Sequence, residues 1–221
     1  MKNLAIIIPV RLSSSRIIEK PLLKFGNDTL LSWKIKQLLK VVDKKQIIVT
    51  TNSEKLKSIA NKFDVTIHNR EDWLCEGHKS TVSQQVENVI KDITNYEHIA
   101  WTLITSPLMR SETYKACFDT YFKVIKNGYD SLMTVNLMKD FLWNDNGPLN
   151  YKSGIKHVYT QDLPNIYRVT NATNIISRQL ALKYKYYLGK NPYKYIVSKI
   201  EGIDIDNYED YIIAKKLKTG L

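Results

Sequence analysis

Two groups of reactive side chains stand near opposite ends of this 221-residue chain. The first group follows an apolar run at residues 4–8 and consists of cations and hydroxyls, namely Arg11, Ser13, Ser14, Ser15, Arg16 and Lys20. Serine hydroxyls and backbone N–H groups bind phosphate oxygens, and arginine adds bidentate, charge-assisted hydrogen bonds. The group therefore predicts a loop that binds a polyphosphate.

A surface loop that happens to be basic is the alternative interpretation, because lysine and arginine are common in this chain. The two standard phosphate-binding patterns, G-x-x-x-x-G-K-[ST] and G-x-G-x-x-G, are both absent from the sequence. Three cations and a serine triplet beside one strand nevertheless favour phosphate binding over an idle loop.

The second group lies at residues 201–210, where Asp204 and Asp206 alternate with isoleucines. On a strand, residues i and i+2 point to the same face, so both carboxylates would project together. Mg²⁺ binds one or two carboxylates and completes its octahedron with phosphates and waters. The alternative interpretation is that Asp206, or Asn207, only caps the last helix while Asp204 faces solvent.

The composition is that of a globular protein with one full core. The hydrophobic fraction is 43%, and the length predicts a single domain, residues 1–221. We expect no membrane span, and residues 4–8 are too few for the apolar core of a signal peptide. Cys75 and Cys117 lie far apart without metal-type or redox-type spacing, which favours a reducing, cytoplasmic location.

The formal net charge of +11 has two interpretations. A basic protein that binds nucleic acid is one, since such proteins release counterions from phosphate backbones. A positive cleft that attracts a small acidic substrate is the other. The lysines are scattered over most predicted helices and form no dense stripe or tail, so we expect no nucleic-acid partner.

The hydrophobic pattern alternates β-type runs with amphipathic helical segments. Strands are expected at residues 4–8, 46–51, 64–67, 98–104, 131–137, 167–176, 195–200 and 203–205. Helices are expected at residues 31–42, 53–63, 81–93, 111–126, from 177 onward, and at 207–218. Because the first strand is apolar throughout, it should be buried on both faces. This predicts an α/β fold, a three-layer αβα sandwich with a mostly parallel, Rossmann-like sheet.

The segment at about residues 138–166 interrupts this alternation. It is rich in Asn, Asp, Gly, Pro and aromatic residues and is longer than an ordinary connection. Long excursions of this kind usually serve as lids or as subunit contacts.

Taken together, these motifs resemble the CMP-sugar synthetases, the acylneuraminate and Kdo cytidylyltransferases, over nearly the whole length. The opening A-R-x-G-S-x-R-x-P-x-K loop of that family is similar to V-R-L-S-S-S-R-I-I-E-K here, and the closing I-D-I-D-T-x-x-D is similar to I-D-I-D-N-Y-E-D. Further similarities lie at residues 49–52, 70–80 and 104–110. The resemblance implies a nucleotide-diphospho-sugar transferase fold that transfers CMP from CTP to an acidic 2-keto-3-deoxy sugar for surface-glycan synthesis, with release of pyrophosphate.

The resemblance also implies roles for individual residues. Arg11, Arg16 and Lys20 would act in catalysis by holding the triphosphate together with Ser13, Ser14 and Ser15, and Arg70 and Ser80 would line the cytidine pocket. The sugar would be bound by Thr105, Ser106, Lys139, Arg168, Asn171 and Asn174. Asp204 and Asp206 would ligate Mg²⁺, and residues 138–166 would form a homodimer contact that reaches over the partner's active site.

Several positions differ from the family pattern. Ser13 and Ile18 stand where glycine and proline are usual, and Ile104 replaces a glutamine that sialic-acid synthetases use on the sugar. Residues 170–174 replace an N-G-A-x-Y run. A nucleotidyltransferase for Kdo, for another sugar or for a polyol phosphate therefore stays open, as does a non-catalytic basic nucleic-acid-binding protein.

Overall fold

The structure is a computed structural model that describes residues 3–13, 16–76 and 79–218. Ser14 and Ser15, two of the expected phosphate ligands, lie outside the described residues. The strands are β1 (Leu4–Pro9), β2 (Lys24–Phe25), β3 (Asp28–Thr29), β4 (Ile47–Thr51), β5 (Thr66–Asn69), β6 (His98–Trp101), β7 (Ser131–Met138), β8 (Trp143–Asn144), β9 (Gly147–Pro148), β10 (Ile166–Ser177) and β11 (Pro192–Ile196). The α-helices are α1 (Leu30–Leu39), α2 (Glu54–Asn61), α3 (Asp72–Cys75), α4 (Val82–Asp92), α5 (Ser111–Val124), α6 (Arg178–Tyr184) and α7 (Tyr208–Lys218).

Within the described ranges, seven strands form the main sheet in the order β11-β7-β10-β6-β1-β4-β5. β1 pairs in parallel with both β4 and β6, and β11 pairs in parallel with β7. β10 is antiparallel to both of its neighbours. The predicted mostly parallel α/β sheet is therefore confirmed, with β10 as the reversed strand.

Two apolar cores lie on the two faces of this sheet. Along β1, Leu4, Ile6 and Ile8 belong to one core, while Ala5 and Ile7 belong to the other. This alternation follows from the period of two along a strand. Helices α1, α2, α5 and α7 cover the first face, and α4 and α6 cover the second. The result is the predicted three-layer sandwich.

Short polar side chains start several of these helices. Thr29, Ser53 and Ser177 each accept a hydrogen bond from a backbone N–H three residues further on, at the starts of α1, α2 and α6. Such caps satisfy N–H groups that have no partner within the helix. These three helices begin close to the starts that the sequence pattern predicts.

Three predicted strand ranges were wrong. β6 ends at Trp101 rather than at residue 104, and β11 covers Pro192–Ile196 rather than residues 195–200. The third, residues 203–205, is not a strand. One backbone bond, from Ile205 N to Thr105 O (2.8 Å), ties it to the loop after β6, which is too little to extend the sheet.

The excursion at residues 138–166 carries the small hairpin β8–β9 and a ring cluster of its own. Phe141 lies with its ring centroid 4.7 Å from those of both Tyr151 and His157. Trp143 and Ile155 are exposed. Among the described residues, the structure contains no helix with the length and apolarity that a bilayer crossing requires.

Candidate active site

A cleft of about 570 Å³ opens beyond the carboxyl ends of β1 and β6. Parallel α/β sheets hold ligands at this edge, where the strand order switches direction. The charged and hydroxyl side chains that line the cleft include three groups: Arg11, Arg16 and Lys20 after β1; Arg70 and Ser80 beyond β5; and Asp204 and Asp206 before α7. The two reactive groups at the chain ends therefore share one cavity.

Arg16 and Asp206 form an ion pair across the mouth of the cleft. Arg16 Nη2 lies 2.8 Å from Asp206 Oδ1, and the two side chains are 60% and 50% exposed. An exposed pair of this kind contributes only about 0.2–1 kcal/mol, because water and salt screen it. Arg16 can therefore exchange this carboxylate for a phosphate at little cost.

Lys20 makes a deeper link between the chain ends. It is 8% exposed, and its Nζ donates to the backbone oxygens of Ile205 (2.6 Å) and Asp206 (3.3 Å). Burial lowers the pKa of Lys20, while the carboxylate of Asp206 raises it and the charge of Arg16 lowers it. Lys20 thus holds the acidic segment, residues 204–206, next to the basic loop.

The cap of α7 is made by Asn207 and Asp210 rather than by Asp206. Asp210 N donates to Asn207 Oδ1 (3.0 Å), and Asn207 N donates to Asp210 Oδ2 (2.9 Å). Asp210 Oδ2 also accepts from Asp206 N (2.9 Å). Capping therefore does not occupy the Asp206 carboxylate, which faces the cleft together with Asp204.

Asp204 carries the feature that best fits a cation. Its Oδ1 is buried near the Thr105 hydroxyl, but the two oxygens do not form a hydrogen bond of regular geometry, and neither has another partner among the described residues. Burial raises the pKa of Asp204 and the Asp206 carboxylate adds to this, whereas Thr105 and Lys20 oppose it. A divalent cation would stabilise the ionised form of such a carboxylate.

The donor set also fits Mg²⁺ in number. Within the described ranges, no cluster of three or more His, Cys, Asp or Glu side chains is positioned to hold a metal ion. Asp204 and Asp206 both line the cleft and could together offer two carboxylates to a cation. Mg²⁺ commonly uses one or two carboxylates and takes its remaining oxygens from phosphates and waters.

The basic loop is anchored to the short helix α3. Arg11 Nη1 and Ser13 Oγ both donate to the backbone oxygen of Cys75, at 3.0 and 2.8 Å. The Ser13 hydroxyl is therefore used within the protein, while Arg11 also lines the cleft. This anchor brings the loop after β1 next to the segment that carries Arg70.

Arg70 and Ser80 also line the cleft. Arg70 is 5% exposed, and burial lowers the pKa of its guanidinium, with nearby Arg11 adding to the shift and Cys75 opposing it. Ser80 Oγ donates to Leu74 O (3.2 Å) and accepts from Gln85 Nε2 (3.1 Å). A bound anion would offset the repulsion between the two arginines.

Of the six residues expected to bind the sugar, Thr105 and Asn171 line the cleft. Asn171 has a φ of 54° at a register shift in β10, a bulge that turns the strand locally. Ser106 is buried and donates to Thr170 O (3.2 Å). Asn174 is fully buried, and both polar atoms of its amide lack a partner among the described residues.

The other two expected sugar ligands lie outside this cavity. Arg168 Nη2 donates to Asn136 Oδ1 (2.7 Å) and to Gly202 O (3.2 Å), beside a separate cavity of about 170 Å³. Lys139 Nζ donates to Leu163 O and, at 3.4 Å, to Gln161 O within the excursion. In one chain, these two cations therefore do not face the cleft.

Helix α1 fixes the loop after β6, a role that the sequence pattern did not reveal. Trp33 Nε1 and Gln37 Nε2 both donate to Pro107 O at 2.8 Å, and Lys34 Nζ donates to Ser106 O at 2.8 Å. Lys34 is fully buried, and burial lowers its pKa to about 7 while Asp204 opposes the shift. The available signal was a lysine inside the apolar stripe of a helix.

An aromatic wall also escaped prediction. The rings of Trp101 and Tyr187 stack with centroids 5.7 Å apart and 9° between their planes, and both residues line the cleft. Tyr186 stacks on Tyr187 in turn, with centroids 4.2 Å apart. The sequence contains a run of tyrosines between residues 184 and 195, but the side of the sheet on which they lie depends on where α6 packs.

A parallel α/β sheet with a cationic loop and a carboxylate pair in one cleft is the arrangement of a nucleotidyltransferase. The chain belongs to the cytidylyltransferase family, whose sequence model matches residues 5–217. It is accordingly an enzyme of the nucleotidyltransferase class, EC 2.7.7.

Two relatives of known activity show a low sequence identity to this chain. The pseudaminic acid cytidylyltransferase of Campylobacter jejuni is 23% identical over 228 residues, which cover 98% of this chain and 96% of that protein. The N-acylneuraminate cytidylyltransferase of Streptococcus agalactiae serotype V is 22% identical over 93% of this chain, which spans only 51% of that protein.

A solved structure confirms the fold. The CMP:2-keto-3-deoxy-manno-octonic acid synthetase, solved in complex with CTP, superposes with a TM-score of 0.71 at 12% identity, and 98% of each chain is covered. At this identity the likeness establishes the architecture alone.

Proposed function

We propose that this enzyme transfers CMP from CTP to the anomeric hydroxyl of an acidic 2-keto-3-deoxy sugar, a nonulosonate, and releases pyrophosphate. The observation that carries the proposal is the meeting of Arg11, Arg16 and Lys20 with Asp204 and Asp206 in one cleft. Relatives that match most of this chain bear the names of cytidylyltransferases for pseudaminic acid and N-acylneuraminate, both acidic nonulosonates. The product would serve the synthesis of a surface glycan.

The chemistry is one in-line displacement. The anomeric oxygen forms a bond to the α-phosphorus of CTP, the bond from that phosphorus to the bridging oxygen breaks, and the hydroxyl proton leaves to solvent. Arg11 and Arg16 bind the phosphates and offset the charge that develops on the departing pyrophosphate. Lys20 keeps the acidic segment at a fixed distance from these cations.

Asp204 and Asp206 would hold Mg²⁺, which when bound supplies positive charge to the phosphate oxygens. Arg16 would then leave Asp206 for the triphosphate. This exchange breaks only the exposed pair at the mouth of the cleft.

Arg70 and Ser80 would contact the cytidine, and Thr105 and Asn171 the sugar, since these four residues line the cleft. We place the homodimer contact in residues 138–166, where Trp143 and Ile155 expose large apolar surfaces. In such a dimer Lys139 and Arg168 would be supplied near the partner's cleft, where they would meet the sugar carboxylate. Ser106 and Asn174, which are buried, would pack behind the residues that line the sugar pocket.

The test is pyrophosphate release with each of the four nucleoside triphosphates, with and without Mg²⁺, against a panel of acidic sugars. The expected result is turnover with CTP, Mg²⁺ and a nonulosonate only. Turnover with Kdo, a neutral sugar or a polyol phosphate would correct the acceptor. Absence of CTP binding, together with salt-dependent binding to nucleic acid, would overturn the proposal.

The dimer has a separate test. Sedimentation velocity should give a dimer for the wild-type protein and a monomer for an Ile155→Glu variant, because a charge cannot be buried in an apolar contact without a partner. A monomeric wild-type protein would contradict the assignment of residues 138–166.

A further inference from the structure

A chain of hydrogen bonds runs from Arg70 in the cleft to the exposed carboxylate of Asp92. Arg70 Nε donates to Thr50 Oγ1 (3.4 Å), and the same hydroxyl lies 2.9 Å from His68 Nδ1. His68 Nε2 lies 3.0 Å from Asp92 Oδ2. Thr50 and His68 are directly paired on the parallel strands β4 and β5.

The hydrogen bonds between Arg70, Thr50, His68 and Asp92 can all be formed with one consistent assignment of donors and acceptors. A guanidinium can only donate and an ionised carboxylate can only accept. In the tautomer in which His68 donates from Nε2 to Asp92, its Nδ1 accepts the Thr50 hydroxyl proton. The Thr50 oxygen keeps a lone pair for Arg70 Nε. Each group can thus fix the orientation of the next.

The order Thr–His–Asp is also that of a hydrolytic triad, but burial excludes that function. Thr50 is fully buried between strands, so its hydroxyl cannot reach a substrate carbonyl. Asp92 is 67% exposed and borders a second cavity of about 470 Å³. The chain of bonds therefore ends in solvent at Asp92 and in the cleft at Arg70.

Thr50 also holds the guanidinium through its backbone. Arg70 Nη2 donates to Thr50 O (3.1 Å), and this oxygen accepts from Val10 N as well (3.1 Å). Two of the five N–H donors of Arg70 are thereby directed at one residue, which fixes the plane of the guanidinium. The remaining donors belong to a side chain that lines the cleft.

We propose that Thr50, His68 and Asp92 are positioning residues that hold Arg70 in the orientation in which it binds CTP. The inference rests on the proposed function, since it requires CTP in this cleft. It adds three residues that do not line the cleft. Their effect is on nucleotide binding, because Arg70 is the member of this hydrogen-bond chain that lines the cleft.

The test compares Thr50→Val, which removes the hydroxyl while keeping the shape, with Thr50→Ser, which retains it. Thr50→Val should raise the KM for CTP about three- to tenfold with kcat little changed, as expected for loss of one oriented hydrogen bond. Thr50→Ser should restore most of the affinity. Asp92→Ala should have a smaller effect, because water can replace an exposed carboxylate.

Thr51→Val is the matched control. Thr51 is equally buried on the same strand, but its hydroxyl accepts from Ser53 N rather than from Arg70. This variant should lose stability to a similar degree while its KM for CTP stays at the wild-type value. An equal rise in KM for both valine variants would show a general structural effect and would overturn the proposal.

A double-mutant cycle with Arg70→Lys locates the effect. Lysine cannot make both bonds to Thr50, so Thr50→Val should raise KM no further in that background. The same fold-change in both backgrounds would overturn the positioning role. Failure of the wild-type protein to bind CTP would overturn the proposed function as well, whereas equal CTP binding by wild type and Thr50→Val would overturn this inference alone.

Discussion

Replacing Lys34 by methionine should remove a pH dependence from the folding stability. Lys34 lies in the apolar stripe of α1, fully buried, and its Nζ donates to Ser106 O (2.8 Å) and to the hydroxyl of Tyr114. Burial lowers its pKa from 10.5 to about 7, although Asp204 opposes the shift. In the unfolded chain the ammonium is hydrated and keeps the ordinary value.

The sign and size follow from these two values. Between about pH 7 and pH 10.5 the unfolded chain binds a proton that the folded chain has released, so stability rises with pH in that window. Below about pH 7 both states are protonated, and the cost is constant. Across the whole window the free energy of unfolding should rise by about 5 kcal/mol, at about 1.4 kcal/mol per pH unit. About 3 kcal/mol of this rise falls between about pH 7 and pH 9.5.

Urea unfolding at several pH values across this window measures the effect. The free energy of unfolding of wild type minus that of Lys34→Met should rise with pH, because other titrating groups cancel in the difference. Lys36→Met is the matched control: Lys36 is on the same helix but is exposed and paired with Asp28 at 2.6 Å. Parallel pH curves for wild type and Lys34→Met would refute the reasoning.

Three further substitutions test the site and its support. Asp204→Asn should reduce pyrophosphate release about a hundredfold or more without loss of thermal stability. Glu209→Gln, on the exposed start of α7, is the control and should leave pyrophosphate release unchanged. Wild-type turnover by Asp204→Asn would remove Asp204 from the proposed metal site. Gly202→Ala should lower the free energy of unfolding by about 1–3 kcal/mol in urea titrations, because its Cβ would overlap the Asn136 side chain. Asn174→Leu should raise it by about 1 kcal/mol, since it removes a buried amide with no partner among the described residues; a loss of stability would contradict this.

The fold could be predicted from the sequence where the signal is local. Thr29, Ser53 and Ser177 cap helices where expected, because a cap needs only its own turn. The reversal of β10 depends on pairing with strands far along the chain, and no local pattern encodes that pairing. Residues 203–205 alternate like a strand, but their backbone bond to Thr105 O and the side-chain bond from Lys20 do not form a strand ladder, so they do not join the sheet.

The site was predictable in its charges but not in its orientations. The resemblance implies that Arg16 binds the triphosphate and that Asp206 binds the metal, and the two side chains form an ion pair. The direction of Asn174 depends on a bulge at which Asn171 adopts a φ of 54°, and the pattern of apolar residues carries no sign of it. The burial of Lys34 was not predictable from the sequence, because helix faces are assigned on the rule that lysine is exposed.

The contacts around the acidic segment divide the site into a fixed part and a part that can open. Ile205 is held on one side by its N–H bond to Thr105 O and on the other by Lys20, which donates to its carbonyl oxygen. These bonds are buried, so breaking them would leave buried polar groups without hydrogen-bond partners, at a cost of about 1–3 kcal/mol each. The Arg16–Asp206 pair is exposed and worth less than that. A triphosphate that enters the cleft should therefore displace Arg16 from Asp206 while the backbone of the acidic segment stays in place.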